Sequence, residues 1–182
     1  LDPGQITYRL RPGQAERRRV VTIPAFHDLR PGDIAIDCGA NLGAITRILA
    51  EGGATVHAFE PNPDAFRVLA EQTASFPAVH RHQAAVLDRD SEMTLYLHVN
   101  YALNPERFSS GSSLIAEKRN LGESGGVKVP VIDLVAFILG LGQRVKLLKV
   151  DIEGAEYDLL NGLIDRGAID LVDRVFVETH AH

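Results

Sequence analysis

Five acidic side chains and one imidazole stand where apolar runs end. Asp37 closes Ile34-Ala35-Ile36, Glu60 closes a second run 23 positions later, Asp151 and Glu153 follow a third, and Glu178 and His180 follow the last. A carboxylate can hold a cation, accept hydrogen bonds from hydroxyl groups or take up a proton, and an imidazole is a base near neutral pH. Just after Asp37 the chain breaks at Gly39 and restarts as a helical pattern after Gly43, with Leu42, Ile45, Ile48 and Leu49 on one side. Gly39 carries no Cβ to obstruct a ligand, and a helix N-terminus presents unpaired N–H groups. A negative charge beside that turn suits a ligand carrying a cation better than one carrying a pyrophosphate. The dinucleotide fingerprint is also broken, because Asn41 and Ala44 occupy the places of its second and third glycines. The loop therefore reads as a nucleoside site of another kind.

Each of these residues has a plainer reading. Glu60 could be a surface acid before a helix, but at a strand end it can accept from both hydroxyls of a ribose. Asn62 is fully explained as a helix cap, with a base contact secondary. In Asp151-Ile152-Glu153-Gly154-Ala155-Glu156 three carboxylates crowd a strand end and a helix start, which needs compensation by the helix dipole, a ligand cation or a metal. Glu156 is read as complementing the helix and Asp151 as functional. His180 could be a base at the same rim, although His182 marks the tail as simply His-containing. His57 reads as a packed core residue and His80, His82 and His98 as exposed. No spacing has the character of a zinc site.

The elements that must position these groups alternate. Strands are expected at 34–37, Thr55 to Phe59, Val79 to Val86, Val145 to Val150 and Val172 to Val177, with helices after the first two (the second to about Thr73) and over Ala155 to Arg166. Asn62-Pro63-Asp64 has a cap, a proline for the first helical position and an acid for the first turn. Met93 to Val99 alternates as a half-buried strand, Val127 to Val131 is a further strand, and Asp133 can cap a helix through Leu139. Residues 1–24 read as an irregular lead-in. Residues 100–126 lack a period and contain Ser109-Ser110-Gly111-Ser112-Ser113, which makes them a candidate lid. Alternating strands and helices imply a parallel sheet covered on both faces, with ligands beyond the carboxyl ends of its strands.

The 182 residues suit one domain, 1–182, and 45% apolar with 24% charged residues is an ordinary globular balance. A net charge of −5 argues against a nucleic-acid backbone as the main partner, and the arginines at 9, 11, 17, 18 and 19 read as a solvated face. No apolar run reaches membrane-spanning length and no secretory signal is visible; with Cys38 the only cysteine, a cytoplasmic setting is expected.

Asp37-Cys38-Gly39-Ala40-Asn41-Leu42-Gly43 resembles the first motif of S-adenosylmethionine-dependent methyltransferases, in the Asn-bearing variant of the FkbM-type family. Phe59-Glu60-Pro61-Asn62-Pro63 and Lys149 to Glu156 resemble further blocks of that family in the right order. The resemblance implies a Rossmann-like, doubly wound α/β sheet ordered 3-2-1-4-5 and finished by two more strands. It implies S-adenosyl-L-methionine as cofactor, held by Asp37, Gly39, Asn41, Gly43, Glu60, Asn62 and Asp151, with Gln83 and Ala84 near the adenine. It also implies methylation of a hydroxyl on a sugar or secondary metabolite, with Asp151, Glu153 or His180 accepting the proton. Two alternatives stand beside this: a Mg²⁺-dependent catechol-type O-methyltransferase, and a domain that binds S-adenosylmethionine without turnover. Since the sequence starts at Leu1 and ends five residues after Val177, it is expected to be a piece of a longer chain whose remainder completes the sheet.

Overall fold

The computed structural model describes residues 6–7, 20–21, 26–95, 126–152 and 154–178. Two short strands, β1 (Ile6–Thr7) and β2 (Val20–Val21), pair antiparallel. The centre is a parallel sheet of β3 (Ile34–Cys38), β4 (Thr55–Phe59), β5 (Val79–His82), β9 (Leu147–Val150) and β10 (Val175–Val177). Its spatial order is β10-β9-β3-β4-β5. Numbered along the chain these five strands read 3-2-1-4-5 across the sheet, the doubly wound order. The sequence turns back on itself between β3 and β9, and the carboxyl ends of those two strands flank the crevice where such sheets bind ligands.

Period-2 alternation on each strand divides the core between two faces. On one face Ala35, Val56, Val79 and Leu147 pack with Leu49 and Ala50 of α1 (Ala44–Glu51) and with Phe26 and Leu29. Nearby, Ala58 meets Leu69 of α2 (Pro63–Gln72). On the other face Ile34, Ile36, Cys38, Phe59, Leu148 and Val150 pack with Leu134, Val135 and Ile138 of α3 (Leu134–Gly140) and Leu159 and Leu163 of α4 (Glu156–Asp165). Local chemistry fixes the helix starts. Asn62 accepts from the N–H groups of Asp64 and Ala65 at 3.0 and 3.4 Å, with Pro63 at the first helical position. Asp133 accepts from Ala136 at 2.9 Å.

The structure departs from the expected elements at the third strand. The run from 79 to 86 is not one strand: β5 ends at His82, and β6 (Ala85–Leu87) joins a separate three-stranded sheet. In it β8 (Val127–Asp133) lies between β6 and the antiparallel β7 (Ser91–Leu95). Ala84 donates back to His82 O at 2.9 Å, so the chain turns there instead of extending. The fourth strand is likewise shorter than expected, with Val145 making one isolated bridge to Val172 before the ladder resumes at Leu147. The lid expected at 100–126 lies outside the described residues apart from Gly126, as does the lead-in apart from β1 and β2.

Histidines line the β4–β5 ladder. His57 opposes His80 in register, and His57 Nδ1 stands 3.3 Å from His82 Nε2. His80 is exposed as expected, but His82 is half-buried and stacks on Phe59 with ring centroids 4.4 Å apart. Burial, with the neighbouring imidazoles adding to it, depresses His57 from 6.5 to about 4 and lowers His82 as well. A base whose folded pKa is depressed takes up protons more readily when unfolded, so its contribution is intact above pH 6.5 and is lost as pH falls toward 4. Urea unfolding between pH 7 and 4.5 should therefore show stability dropping more steeply for the native chain than for His57→Gln. Parallel slopes for the two would remove this pair as a source of acid lability.

Candidate functional site

Asp37 and Lys149 are directly opposed in the β3–β9 ladder, so their side chains leave the sheet on the same face. Asp37 is 0% exposed and Lys149 4%. Lys149 Nζ lies 3.3 Å from Asp37 Oδ1 and 3.3 Å from Asp151 Oδ2. The ammonium also donates to the carbonyl of Gly39 at 2.8 Å and reaches that of Cys38 at 3.4 Å. The other Asp37 oxygen accepts from the Thr46 hydroxyl of α1 at 2.6 Å. The flanking carboxylates hold Lys149 well above the ordinary lysine range although burial pushes the other way, so it is a cation at all physiological pH. Of the two acids only Asp151 has side-chain exposure, 26%, and the formal charges of the three groups sum to one negative charge at the rim.

The first turn is held by backbone contacts. Gly39 and Ala40 both donate to Phe59 O, at 3.0 and 2.9 Å, and Gly43 donates to Ala40 O at 2.9 Å. Asn41, in the left-handed region at φ 49°, donates to Glu60 Oε2 at 2.8 Å. Four N–H groups of the loop are thus turned to acceptors within the protein, unlike a phosphate cradle, in which they face the ligand. Gly39 has φ 76°, and a Cβ there would come within 1.8 Å of the Asp151 carbonyl oxygen. Its missing side chain has a cause inside the protein: it lets the loops after β3 and β9 touch.

Glu60 joins the loop after β4 to the same unit. Oε1 accepts from Asn62 N–H at 2.8 Å while Oε2 accepts from Asn41. Burial raises its carboxyl from 4.5 to about 7, against the pull of these two N–H groups and of Lys149. An ionised carboxylate has about four lone-pair sites, so two remain for a ligand. The third rim position, at the end of β5, carries Gln83, exposed, and Ala84, buried.

The structure brings Asp37, Gly39, Asn41, Gly43, Glu60, Asn62, Gln83, Ala84 and Asp151 to the carboxyl ends of the neighbouring strands β9, β3, β4 and β5. Glu153 and His180 lie outside the described residues. Glu156 does more than complement a helix. It is fully buried, accepts from Ile152 N–H at 3.2 Å and Gly154 N–H at 3.0 Å, and ties down the turn that follows Asp151. Lys149 is the residue that sequence reasoning passed over. Its signal was a single charge inside Leu147-Leu148-Lys149-Val150. Among the described residues no group of three His, Cys, Asp or Glu side chains could hold a metal ion.

Comparison with known proteins bears on this arrangement. The family model for the methyltransferase FkbM domain matches residues 37–182. Methyltransferase 1 of Beauveria bassiana is 31% identical over 175 residues, covering 87% of this chain and 70% of its own length. The 31-O-demethyl-FK506 methyltransferase FkbM of Streptomyces tacrolimicus is 28% identical over 161 residues, covering 76% of this chain, which spans 62% of that relative. The crystal structure of the 23S rRNA methyltransferase ErmE overlaps 32% of this chain and 24% of its own at 29% identity, with a TM-score of 0.29.

The contact at Gly39 generates a stability prediction. Gly39→Ala must strain a left-handed backbone and force the loops after β3 and β9 apart, so it should destabilise the fold by at least about 2 kcal/mol. A chemical denaturation midpoint equal to that of the native protein would show that the loops do not approach so closely.

Proposed function

The chain belongs to the methyltransferase FkbM family, and from that premise we propose that it transfers the methyl group of S-adenosyl-L-methionine to a hydroxyl of a small-molecule acceptor, a saccharide or a secondary metabolite. The observation that carries the cofactor reading is the composition of the rim. It offers the Glu60 carboxylate and the net negative charge of the Asp37–Lys149–Asp151 group, while the N–H groups of Gly39, Ala40, Asn41 and Gly43 are given to acceptors within the protein. That donor set fits a ligand with ribose hydroxyls and a cationic end. Bound there, S-adenosylmethionine supplies a methyl group activated by its sulfonium.

The residues divide the remaining work. Glu60 accepts the ribose hydroxyls with the lone pairs that Asn41 and Asn62 leave, and Gln83 and Ala84 flank the base at the end of β5. Gly39, Asn41 and Gly43 set the loop, and Asn62 starts α2 in the register that keeps Glu60 inward. Asp37 acts from behind through Lys149, and Asp151 faces the cation. An aliphatic hydroxyl needs its proton removed as it attacks; Asp151, Glu153 and His180 are the groups proposed to take it. Much of the catalytic advantage then comes from holding donor and acceptor in line. The name of the Streptomyces relative, a 31-O-demethyl-FK506 methyltransferase, supports a hydroxyl acceptor.

Two measurements test this reading. Titration calorimetry should detect S-adenosylhomocysteine binding, and Glu60→Ala should weaken it by about 10- to 200-fold, the loss of hydrogen bonds to a charged group worth roughly 1.5 to 3 kcal/mol. Because the ionised form of Glu60 accepts, affinity should rise as pH increases through about 7, with protons released on binding, and Glu60→Gln should flatten that dependence. No binding by the native protein at any pH would end the cofactor assignment. For the acceptor, incubation of a metabolite extract with labelled cofactor should place the label on hydroxyl oxygen, as read by mass spectrometry; label found only on nitrogen or carbon would overturn the hydroxyl.

A further inference from the structure

Lys149 makes more contacts than pairing with one acid requires. Its ammonium sits between a carboxylate with no exposure and one with partial exposure, at 3.3 Å from each, and pins the Gly39 carbonyl at 2.8 Å. We propose that Lys149 is a positioning residue that divides charge between the two carboxylates it bridges, cancelling Asp37 and leaving the net negative charge of the group on Asp151, where it faces the cationic end of the cofactor. This rests on the cofactor reading above and specifies how the site distinguishes the sulfonium from its neutral thioether product. Such discrimination matters because substrate and product share the adenosine and amino-acid portions and differ by one methyl group and one positive charge.

The groups facing this cluster come from each element packed around it. Asp37 belongs to β3, whose Cys38 thiol lies on the opposite face of the sheet and is held protonated by burial; α1 contributes the Thr46 hydroxyl; Glu60 follows β4, and Asp151 follows β9. Glu60 titrates near 7; its hydrogen bonds to the ribose cancel in the affinity ratio, and the charge it gains beside the cluster is common to the native chain and the variants, so the test lies in the difference between their profiles. Without the ammonium, Asp37 and Asp151 would confront each other across the vacated place. Like charges so placed share a proton as pH falls. The site would then carry two negative charges at high pH and one at low pH, so its preference for the sulfonium would weaken as pH falls.

The experiment measures dissociation constants of S-adenosylmethionine and S-adenosylhomocysteine side by side from pH 6 to 9. The native chain sets the reference profile, to which Glu60 and the ligands' own amino groups contribute. Relative to it, Lys149→Met should give a preference for the sulfonium that falls at least about 3-fold further as pH drops from 9 to 6, and Lys149→Arg, which keeps the charge, should return to the native profile. A folded Lys149→Met whose ratio follows the native profile overturns the proposal. Should that variant not fold, Asp37→Asn combined with Lys149→Met removes one carboxylate with the cation; it is expected to fold and to follow the native profile. Failure of the double variant to fold, or a ratio that departs from the native profile with pH, overturns the proposal. Failure of the native chain to bind either ligand instead removes the cofactor reading on which the proposal rests.

Discussion

The buried ion group Asp37–Lys149–Asp151 is the constraint on which the candidate site depends. Removing a carboxylate and an ammonium from water is expensive, and breaking such a pair by deleting one partner typically costs about 3 to 5 kcal/mol. The fold accepts that cost at the switch point of its sheet, where β3 and β9 lie side by side and their registers place Asp37 opposite Lys149. An apolar pair of the same size would pack there with less penalty. A charged group in the middle of the sheet is therefore better explained by what it does at the sheet's end than by what it adds to stability.

Three loops are bound to one another through that end. Lys149 reaches the carbonyl of Gly39, Gly39 touches the backbone of Asp151, and Asp151 donates its N–H to the Cys38 carbonyl at 3.1 Å. Glu60 bridges Asn41 and Asn62, and Glu156 gathers the N–H groups of Ile152 and Gly154. Each of these two carboxylates satisfies backbone donors of a turn that has no ladder to satisfy them. The rim is thereby organised before any ligand arrives, which is the condition for holding donor and acceptor in line.

Much of this was legible in the sequence because it is local. The cap at Asn62, the breaks at Gly39 and Gly43 and the alternation of strands and helices all depend on neighbouring residues, and from them follow a parallel sheet and its rim, while the order 3-2-1-4-5 came from the resemblance of the motifs to a family. What was not legible depends on partners far along the chain. The run from 79 to 86 looked like one strand because β-propensity does not reveal that Ala85–Leu87 pairs with β8, more than forty residues later. Lys149 showed itself as an anomaly in an apolar run, but its partner Asp37 is named only by the register of β3 against β9. Glu156 looked like a first-turn acid, and its burial follows from the turn folding back over it.

Asp151 and Glu60 are in this view the ligand-facing acids, and Asp37 stays behind Lys149. A crystal structure of the chain with S-adenosylhomocysteine tests that division most directly. The ribose hydroxyls should lie within hydrogen-bonding distance of Glu60 and the thioether sulfur beside Asp151, with Asp37 still paired to Lys149 and out of reach of the ligand. Density for the ligand away from the β3–β4–β9 rim, or Asp37 turned from Lys149 to contact the ligand itself, would contradict it.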